Sequence, residues 1–278
     1  MRIARYAIAD TIRYGIVELA EDGADHPGTV AAITADPLAG PVSYTGQRHL
    51  LSEVRLLAPV IPRSKVVGVG RNYAAHAAEL GNEVPDSPLI FLKPNTAVIG
   101  PDQPVIRPMT TDNLHYEGEL AVVIGRIARD VPAQRVPEVI FGYTVANDVT
   151  ARDLQNRDDQ WSRAKGYDTF CPVGPWIVSH LSVAEAQDLG IRTRLDGRLV
   201  QDSTTSLMVH GIVDLVRYVS SFTTLLPGDL ILTGTPAGVG PMLPGQVVEV
   251  EIDQIGTLTN PVVGEGSAVQ NPDAGVEA

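Results

Sequence analysis

The segment from Leu114 to Gly125 constrains the fold of this chain more than any other. Its central residues, Leu120-Ala121-Val122-Val123-Ile124, are apolar at every position, so a strand formed here must be covered on both faces. The chain also contains 26 glycines and 21 prolines but only 5% aromatic residues, a composition typical of many turns that join short strands. We therefore expect a strand-rich, mixed α/β protein built around a buried sheet, and not a helical bundle.

The composition also excludes several classes of protein. A formal net charge of -12 gives no basic surface for phosphate backbones, so we expect no nucleic-acid partner. Because Cys171 is the only cysteine, neither an internal disulfide nor a thiolate zinc cluster can form. The first residues lack the apolar core of a signal peptide, and no apolar run approaches membrane-spanning length. These features predict a cytoplasmic protein with no membrane partner.

Local patterns divide the chain into three parts. Residues 2–19 read as a β-hairpin, and a loose stretch follows through Pro41. The segment Val54–Pro62 reads as a connection, because its prolines discourage helix. After Val263 the residues become small and polar, which is typical of disorder. We predict a small N-terminal domain over residues 1–62, a main domain over 63–264 and a disordered tail over 265–278.

The main domain is predicted to contain more strand than helix. Asn72 can cap a short helix that runs to Leu80 and ends at Gly81, and Ser182 begins a capping-box pattern for a brief helix that stops at Gly190. A longer helix is predicted over 205–225, with Ile212, Leu215, Val216, Val219 and Phe222 on one face. Strands are predicted at 65–69, 89–92, 114–125, 140–147, 173–178, 191–195, 229–233 and 247–252.

Two glutamates begin the buried central strand. Alternation sends residues i and i+2 to the same face, so Glu117 and Glu119 are expected to point together. A second predicted strand delivers Asp148 at its end, just before a helical start at 150–153. Buried carboxylates that converge repel each other and lose hydration, so they need a cation or a proton. The alternatives are two ordinary surface glutamates at a strand end and an aspartate that caps a helix.

Three carboxylates with no cysteine or histidine among them suit a hard ion. Mg²⁺ or Mn²⁺ would keep positions open for water and for oxygens of a substrate. With three carboxylates the site stays near minus one after the ion binds, so an anionic substrate needs additional cations. His115 adjoins the same strand but alternates to the other face, and it is left out of the ligand set.

A series of motifs resembles the fumarylacetoacetate hydrolase family. They occur in the family's order from about Lys65 to Val263, and jointly they are far more specific than any one alone. The motifs are Gly70-Arg71-Asn72-Tyr73-Ala74-Ala75-His76-Ala77-Ala78-Glu79, Phe91-Leu92-Lys93-Pro94, Glu117-Gly118-Glu119-Leu120-Ala121, Asn147-Asp148-Val149-Thr150-Ala151-Arg152-Asp153-Leu154-Gln155, Trp161-Ser162-Arg163-Ala164-Lys165, Asp168-Thr169-Phe170, Leu226-Pro227-Gly228-Asp229 and Leu232-Thr233-Gly234-Thr235-Pro236.

The resemblance implies a strand-rich β-roll with a small N-terminal domain, assembled as a homodimer that binds Mg²⁺ or Mn²⁺. The metal ligands of the family fall on Glu117, Glu119 and Asp148, the same residues that strand geometry selects.

The resemblance also assigns roles to six other residues. His76 and Glu79 share a helix face, and in similar hydrolases such a pair lies on a lid and activates water; a surface pair is the alternative. Lys165 would stabilise a developing enolate, unless it is an ordinary surface lysine. Arg71, Gln155 and Thr235 are weaker candidates for contacts with the substrate.

Together these features predict a metal-dependent hydrolase that cleaves a carbon–carbon bond in acylpyruvate-type (2,4-dioxo) acids through a metal-bound enolate. The same chemistry serves decarboxylation of oxaloacetate and isomerisation of 2-hydroxyhepta-2,4-diene-1,7-dioate in aromatic catabolism, and the sequence does not separate the three. A catalytically silent protein that binds metal and ligand is a further alternative. The residues from Gly68 to Tyr73 begin like a dinucleotide-binding motif but lack its third glycine, and Cys171 reads as core.

Overall fold

The computed structural model describes residues 1–20 and 27–267. In these ranges strands far outnumber helices, as the sequence predicts. The strands are β1 (Arg2–Ile8), β2 (Thr11–Leu19), β3 (Gly28–Ile33), β4 (Tyr44–Leu50), β5 (Arg55–Leu57), β6 (Val66–Gly70), β7 (Leu89–Lys93), β8 (Val98–Ile99), β9 (Val105–Arg107), β10 (Leu114–Tyr116), β11 (Gly118–Ile124), β12 (Ile140–Asn147), β13 (Thr150–Ala151), β14 (Cys171–Val178), β15 (Gly190–Leu195), β16 (Arg198–Thr204), β17 (Leu230–Leu232), β18 (Gly240–Pro241), β19 (Val247–Ile252) and β20 (Gly256–Gly264).

The helices are short, except for one. They are α1 (Ala74–Glu79), α2 (Val136–Val139), α3 (Arg152–Arg157), α4 (Ser162–Lys165), α5 (Val183–Ala186) and α6 (Ile212–Phe222). Single 3₁₀ turns occur at Leu51–Glu53, Asn95–Ala97, Ala133–Arg135 and Thr205–Leu207. In the described part of the chain, no helix combines the length and the apolar character needed to cross a bilayer.

Strand β11 lies near the centre of a large mixed sheet. The strands of that sheet follow the order β4-β3-β2-β1-β14-β12-β11-β17-β6-β7, with β5 and β8 added at its sides. A second sheet, in the order β16-β15-β19-β20-β9, packs across β11, β12 and β14. Strands β13, β10 and β18 form a third, small sheet. This architecture confirms the strand-rich mixed α/β fold.

Both faces of β11 are buried, as its sequence predicts. Leu120 and Val122 belong to one core cluster, which also contains the buried face of α6, whereas Ala121 and Val123 belong to another. Each of these side chains is fully covered. The central strand is therefore inaccessible along its length, and only its N-terminal end can present polar groups to a cavity.

Several predicted elements differ from the observed ones. The predicted strand 114–125 is broken at Glu117 into β10 and β11, and the predicted helix start at 150–153 is preceded by β13. The predicted helix 205–225 begins only at Ile212, and Phe222 is 54% exposed and does not face the core. The loose stretch contains β3, and the connection contains β5, which pairs with β1.

Asn72 does not cap α1, contrary to the prediction. The N-cap residue is Tyr73, which makes no capping hydrogen bond through its side chain. The Asn72 amide instead donates to the carbonyl oxygens of His210 and Thr233, at 3.0 and 2.7 Å. It therefore joins the start of α1 to the loop before α6 and to the end of β17.

Two other helix signals agree with the structure. Gly81 follows α1 with φ +69°, a conformation that favours glycine, and its N–H donates to the Ala78 carbonyl. Ser182 forms the predicted capping box with Glu185 at the start of α5.

The predicted domain boundaries stay predictions, although β1 pairs with β14 and so belongs to the same sheet as the central strands. Of the predicted tail, residues 268–278 lie outside the described residues.

Candidate metal centre

The three predicted carboxylates meet at the N-terminal end of β11. The Glu117 N–H donates to Asn147 Oδ1 and its carbonyl accepts from the Asp148 N–H, each at 2.9 Å. Because Gly118 lies opposite Asn147 in the β11–β12 pair, Glu117 and Asp148 occupy adjacent positions at the same sheet edge. One oxygen from each of Glu117, Glu119 and Asp148 lies within 4.8 Å of the others. All three residues are buried, so the surface alternative does not describe them.

A glycine between the two glutamates lets the second sheet approach closely. A Cβ at Gly118 would lie 2.4 Å from Thr193 Oγ1 and 2.9 Å from the Val250 side chain. Gln201 also accepts a hydrogen bond from the Gly118 N–H, at 3.1 Å. This packing covers the face of β11 opposite to that of Glu119.

Lys165 bridges two of the carboxylates. Its Nζ lies 2.9 Å from Glu117 Oε2, 2.5 Å from Asp148 Oδ2 and 2.8 Å from Thr150 Oγ1, and the residue is only 2% exposed. Burial opposes the charge on this lysine, but the carboxylates of Asp148 and Glu117 outweigh burial and raise its pKa. The amino group is therefore a cation inside the site, and the surface alternative for Lys165 does not apply.

Glu117 and Asp148 each accept from a further side chain, and Glu119 accepts from a backbone N–H. Arg152 Nη2 lies 2.5 Å from Glu117 Oε1. The Gly234 N–H donates to Glu119 Oε2 at 2.7 Å, and Lys93 Nζ lies 2.5 Å from Asp148 Oδ1. In the sequence, Lys93 and Arg152 stand out only as members of motifs. The signal for Lys93 was a single charged residue that ends the otherwise apolar strand from Leu89.

The donor set fits a hard metal ion. Burial, followed by the charges of Asp148 and Glu117, raises the pKa of Glu119 well above its ordinary value. Burial would also raise the pKa of Glu117, but Lys165 and Arg152 outweigh it and hold that pKa below the usual range. A dication among the three carboxylates would relieve the repulsion that favours a proton on Glu119. The carboxylate cluster can therefore hold a metal ion through oxygen ligands alone.

His76 reaches the same region from α1, whereas Glu79 contacts a loop. Burial lowers the pKa of the His76 imidazole, which is only 5% exposed. Its Nδ1 lies 3.6 Å from Glu79 Oε2, beyond hydrogen-bond distance. Both Glu79 carboxylate oxygens accept from the Gly238 N–H at 3.1 Å. The predicted pair is thus adjacent, and Glu79 ties α1 to the loop after β17.

A cavity of about 280 Å³ opens beside the carboxylates. Eight of the nine predicted site residues line it, and Glu79 is not among them. The lining residues are Val69, Gly70, Arg71, His76, Leu80, Asn82, Phe91, Glu117, Glu119, Asp148, Arg152, Gln155, Asn156, Trp161, Lys165 and Thr235. The lining combines a carboxylate cluster, a buried imidazole, cationic groups and an aromatic wall, which is a suitable environment for a small anion.

The three predicted substrate contacts differ in what they offer. The Arg71 guanidinium lies 5.9 Å from the centre of the Trp161 ring, and its backbone has a left-handed φ of +57°. Gln155 accepts from Arg152 through Oε1 at 2.5 Å. The Thr235 hydroxyl donates to the Gly118 carbonyl at 2.9 Å, so that proton already has a partner in the protein. Their roles as substrate contacts stay predictions. Arg71 is the only one of the three that carries a positive charge.

Cys171 and His115, which the sequence pattern leaves out of the site, lie outside the cavity lining. Cys171 is fully buried in the core, and burial raises the pKa of its thiol to about 12, as expected for a packing residue. His115 Nε2 lies 2.9 Å from Asn113 Oδ1, and burial, assisted by Arg152, lowers its pKa to about 4.

The strand-rich fold and the buried carboxylate cluster, which can hold a metal ion, indicate the class of protein, and comparison with known proteins identifies the family. The chain belongs to the fumarylacetoacetate hydrolase family, because residues 65–263 match the model of the fumarylacetoacetate (FAA) hydrolase C-terminal domain. Residues 1–59 match a second model, described as Rv2993c-like, N-terminal.

Relatives and solved structures agree with that assignment. Protein Rv2993c of Mycobacterium tuberculosis is 52% identical over 266 residues, which cover 96% of this chain and 99% of that protein. The mitochondrial oxaloacetate tautomerase fahd2 of Xenopus laevis is 40% identical over 227 residues, covering 78% of this chain and 71% of that protein. The crystal structure of 2-hydroxyhepta-2,4-diene-1,7-dioate isomerase from Mycobacterium marinum is 48% identical, with a TM-score of 0.86 and coverage of 96% and 99%.

Proposed function

We propose that this chain is a divalent-metal enzyme that moves a proton between the keto and enol forms of a small 2-oxo acid. One observation carries the proposal: a buried ammonium, a buried imidazole and three converging carboxylates line a single small cavity. Proton transfer next to a carbonyl needs a base, and it needs positive charge near the oxygen where negative charge develops. The cavity supplies both.

Glu117, Glu119 and Asp148 would hold the ion, and their oxygen-only donor set favours Mg²⁺ or Mn²⁺. Such an ion, when bound, acts as a Lewis acid that polarises the 2-oxo group. The carboxylates would therefore serve as metal ligands, and other residues must accept and return the proton.

His76 is the proposed base. Because burial lowers its pKa, its imidazole is neutral near pH 7 and can accept a proton from the carbon beside the carbonyl. Lys165 is the proposed cation that stabilises the resulting enolate, and its buried position strengthens that interaction. Return of the proton to the enolate oxygen, or to a more distant carbon of a conjugated acid, completes a tautomerisation or an isomerisation. Arg71 is the proposed contact for the anionic group of the substrate.

The names of the relatives support proton transfer as the reaction. An oxaloacetate tautomerase and a 2-hydroxyhepta-2,4-diene-1,7-dioate isomerase both move a proton without cleaving a carbon–carbon bond. Both names also describe acids that carry a carboxylate beside an oxo or enol group, which agrees with a cavity lined by cations.

Hydrolysis of acylpyruvates is the second candidate. It is favoured by the adjacency of His76 and Glu79, since that pair could orient the imidazole toward a water molecule. The 3.6 Å separation and the bonds from Gly238 to Glu79 favour proton transfer instead, because a tautomerase needs only the imidazole.

The test is a substrate panel with Mg²⁺ that follows four reactions separately. These are tautomerisation of oxaloacetate, its decarboxylation, isomerisation of 2-hydroxyhepta-2,4-diene-1,7-dioate and cleavage of an acylpyruvate. We expect tautomerisation or isomerisation to be fastest and to be lost in Lys165→Met. Lys65→Met, which removes a lysine paired with Asp229 away from the cavity, should leave the rates unchanged. Faster acylpyruvate cleavage would favour the hydrolase, and tight ligand binding without turnover would favour a silent protein.

A further inference from the structure

We propose that Lys93 is a positioning residue that restricts Asp148 to one coordinating oxygen and thereby makes the site prefer Mg²⁺ or Mn²⁺ over Ca²⁺. The proposal rests on the metal site of the proposed function, and it concerns how the protein selects the ion that enters. It assigns a role to a buried lysine that the proton-transfer chemistry does not use.

Lys93 approaches Asp148 from the side away from the cavity. Its side chain is 0% exposed and is not part of the cavity lining. Nζ lies 2.5 Å from Asp148 Oδ1 and 3.4 Å from the Val149 carbonyl oxygen. The other oxygen, Oδ2, contacts Lys165, which does line the cavity. The two oxygens of Asp148 therefore face different partners: Oδ1 contacts a lysine outside the cavity lining, and Oδ2 contacts a lysine within it.

The other two carboxylates are divided in the same way. Arg152 bonds Glu117 Oε1, while Glu117 Oε2 contacts Lys165. The Gly234 N–H bonds Glu119 Oε2. One oxygen of each carboxylate is thus held by Arg152, Gly234 or Lys93, and an incoming ion would take over the oxygens of Glu117 and Asp148 that Lys165 contacts. Three ligands that each offer a single oxygen leave the remaining positions of an octahedral ion to water and substrate.

This arrangement discriminates between dications by the number of ligands that they require. Ca²⁺ takes six to eight oxygens and commonly binds carboxylates through both oxygens, whereas Mg²⁺ keeps near-ideal octahedral geometry and several waters. A donor that holds one oxygen of each carboxylate therefore disfavours Ca²⁺. Of the three donors, only Lys93 can be changed without altering the cavity or the backbone, since Arg152 lines the cavity and Gly234 donates through its main chain.

The experiment measures the affinities of Mg²⁺, Mn²⁺ and Ca²⁺ for the full chain by isothermal titration calorimetry, without substrate. Loss of the Lys93 charge should tighten binding of every dication, so the informative quantity is the ratio of the Ca²⁺ and Mg²⁺ dissociation constants. In Lys93→Met we expect this ratio to fall about 10-fold, because Asp148 gains a second free oxygen that helps Ca²⁺ only. Lys65→Met removes a lysine from buried Asp229 in a similar pair, and it should keep the wild-type ratio.

An unchanged ratio in a folded Lys93→Met protein would overturn the role of Lys93, while metal binding by the wild type would leave the proposed function standing. Failure of the wild-type chain to bind any of the three ions would overturn the metal site itself. Should Lys93→Met fail to fold, a crystal structure of the wild type with Ca²⁺ decides the matter. We expect Lys93 to remain on Oδ1 and calcium to contact Oδ2 alone, and chelation by both oxygens of Asp148 would contradict the proposal.

Discussion

At the scale of single residues, the candidate site balances its own charges. Its three carboxylates are matched by Lys93, Lys165 and Arg152, each within 2.9 Å of a carboxylate oxygen. When all three carboxylates are ionised, these groups sum to zero, and a bound dication adds two positive charges. The site with its ion would then carry net positive charge and attract an anion. The two lysines and the arginine are thus the additional cations that an anionic substrate needs.

His76 gives the clearest single-residue prediction. His76→Ala should keep metal affinity and lower turnover by roughly 10²- to 10⁴-fold, the usual contribution of a general base. Burial places the pKa of His76 below its ordinary value of 6.5, so wild-type kcat/KM should stay level near neutral pH and fall only at lower pH, as the imidazole gains a proton. A pH–rate profile measures this limb. His180→Ala, which changes a histidine that contacts the N-terminus, should keep the wild-type profile.

Glu119 gives the matching prediction for the ion. Glu119→Ala should abolish dication binding and turnover together, because it removes one of three ligands and leaves Gly234 without its acceptor. Calorimetry and the rate assay at low Mg²⁺ measure both effects. Glu185→Ala, at the capping box of α5, is the control and should change neither. Activity of Glu119→Ala at low Mg²⁺ would show that the ion lies elsewhere.

The site residues that sequence could predict are those whose chemistry has a local spacing. Glu117 and Glu119 are two residues apart at the start of a buried strand, Asp148 lies at the end of another predicted strand, and the family resemblance added Lys165. Lys93 was missed as a functional residue because its partner lies 55 positions away, and no local spacing reports such a contact. The break of the strand at Glu117 was missed because hydrophobicity does not register the hydrogen bond that the Glu117 N–H donates to the Asn147 side chain.

At the scale of elements, Asp229 joins the parallel strands β6 and β17. Its side chain is 0% exposed and accepts hydrogen bonds from both the backbone and the side chains of Ser64 and Lys65. The Leu226 N–H donates to it as well, at 2.9 Å. The carboxylate thus accepts hydrogen bonds from backbone N–H groups in the turn that leads into β17 and in the segment that leads into β6.

Loss of this carboxylate should destabilise the protein strongly. We expect Asp229→Ala to lower the free energy of unfolding by about 3 kcal/mol, because Lys65 and several N–H donors lose their partner. Denaturant titration measures the change. Asp214→Ala, which removes an exposed pair with Arg217 on α6, should cost less than about 1 kcal/mol. Equal losses in the two variants would contradict the role of Asp229.

The pH dependence of this contribution has a defined sign. Burial alone would raise the pKa of Asp229, but hydrogen bonds from Lys65, Leu226 and Ser64 hold it below its ordinary value of 3.8. The stabilisation is therefore complete above the unfolded-state pKa and is lost as the pH falls through the lower, folded-state value. The difference in unfolding free energy between wild type and Asp229→Ala should shrink only under acidic conditions.

Elements with apolar runs were predicted well, and polar ones were not. Strands β12 and β19 begin and end at the predicted residues, since burial leaves a clear pattern. Strands β4 and β16 at the sheet edges were missed because their residues are mostly exposed or half-buried, and their partners hold them extended. The predicted helix began too early because Thr205–Leu207 forms a 3₁₀ turn, which has little hydrophobic periodicity to distinguish it.

At the scale of the whole molecule, the N-terminal segment extends the central sheet. Strand β1 pairs with β14, and β2, β3 and β4 follow it outward, so a single sheet runs from the N-terminal strands to those that carry the carboxylates. Ile3 and Ile16 belong to the same core cluster as Ala121 and Val123 of β11. The boundary near Pro62 lies between the two family models that match the chain, but this hydrophobic core cluster contains residues from both sides of it.

Removal of the N-terminal segment should weaken the rest of the molecule. A chain that begins at Arg63 would leave the end of β14 at Ile177 and Val178 without its partner β1 and expose part of this core cluster. We expect a lower melting temperature and aggregation, measured by calorimetry and light scattering, with residual metal affinity in the soluble fraction. A truncated chain as stable as the full one would instead support an independent main domain.

The lysines and the arginine around the carboxylates affect when a metal ion could enter the protein. Since Lys165 already bridges Glu117 and Asp148, the polypeptide can complete its folding before any ion arrives. A dication would then enter by exchange, taking over the oxygens that the ammonium holds. We therefore expect the chain to keep its fold when a chelator removes the ion.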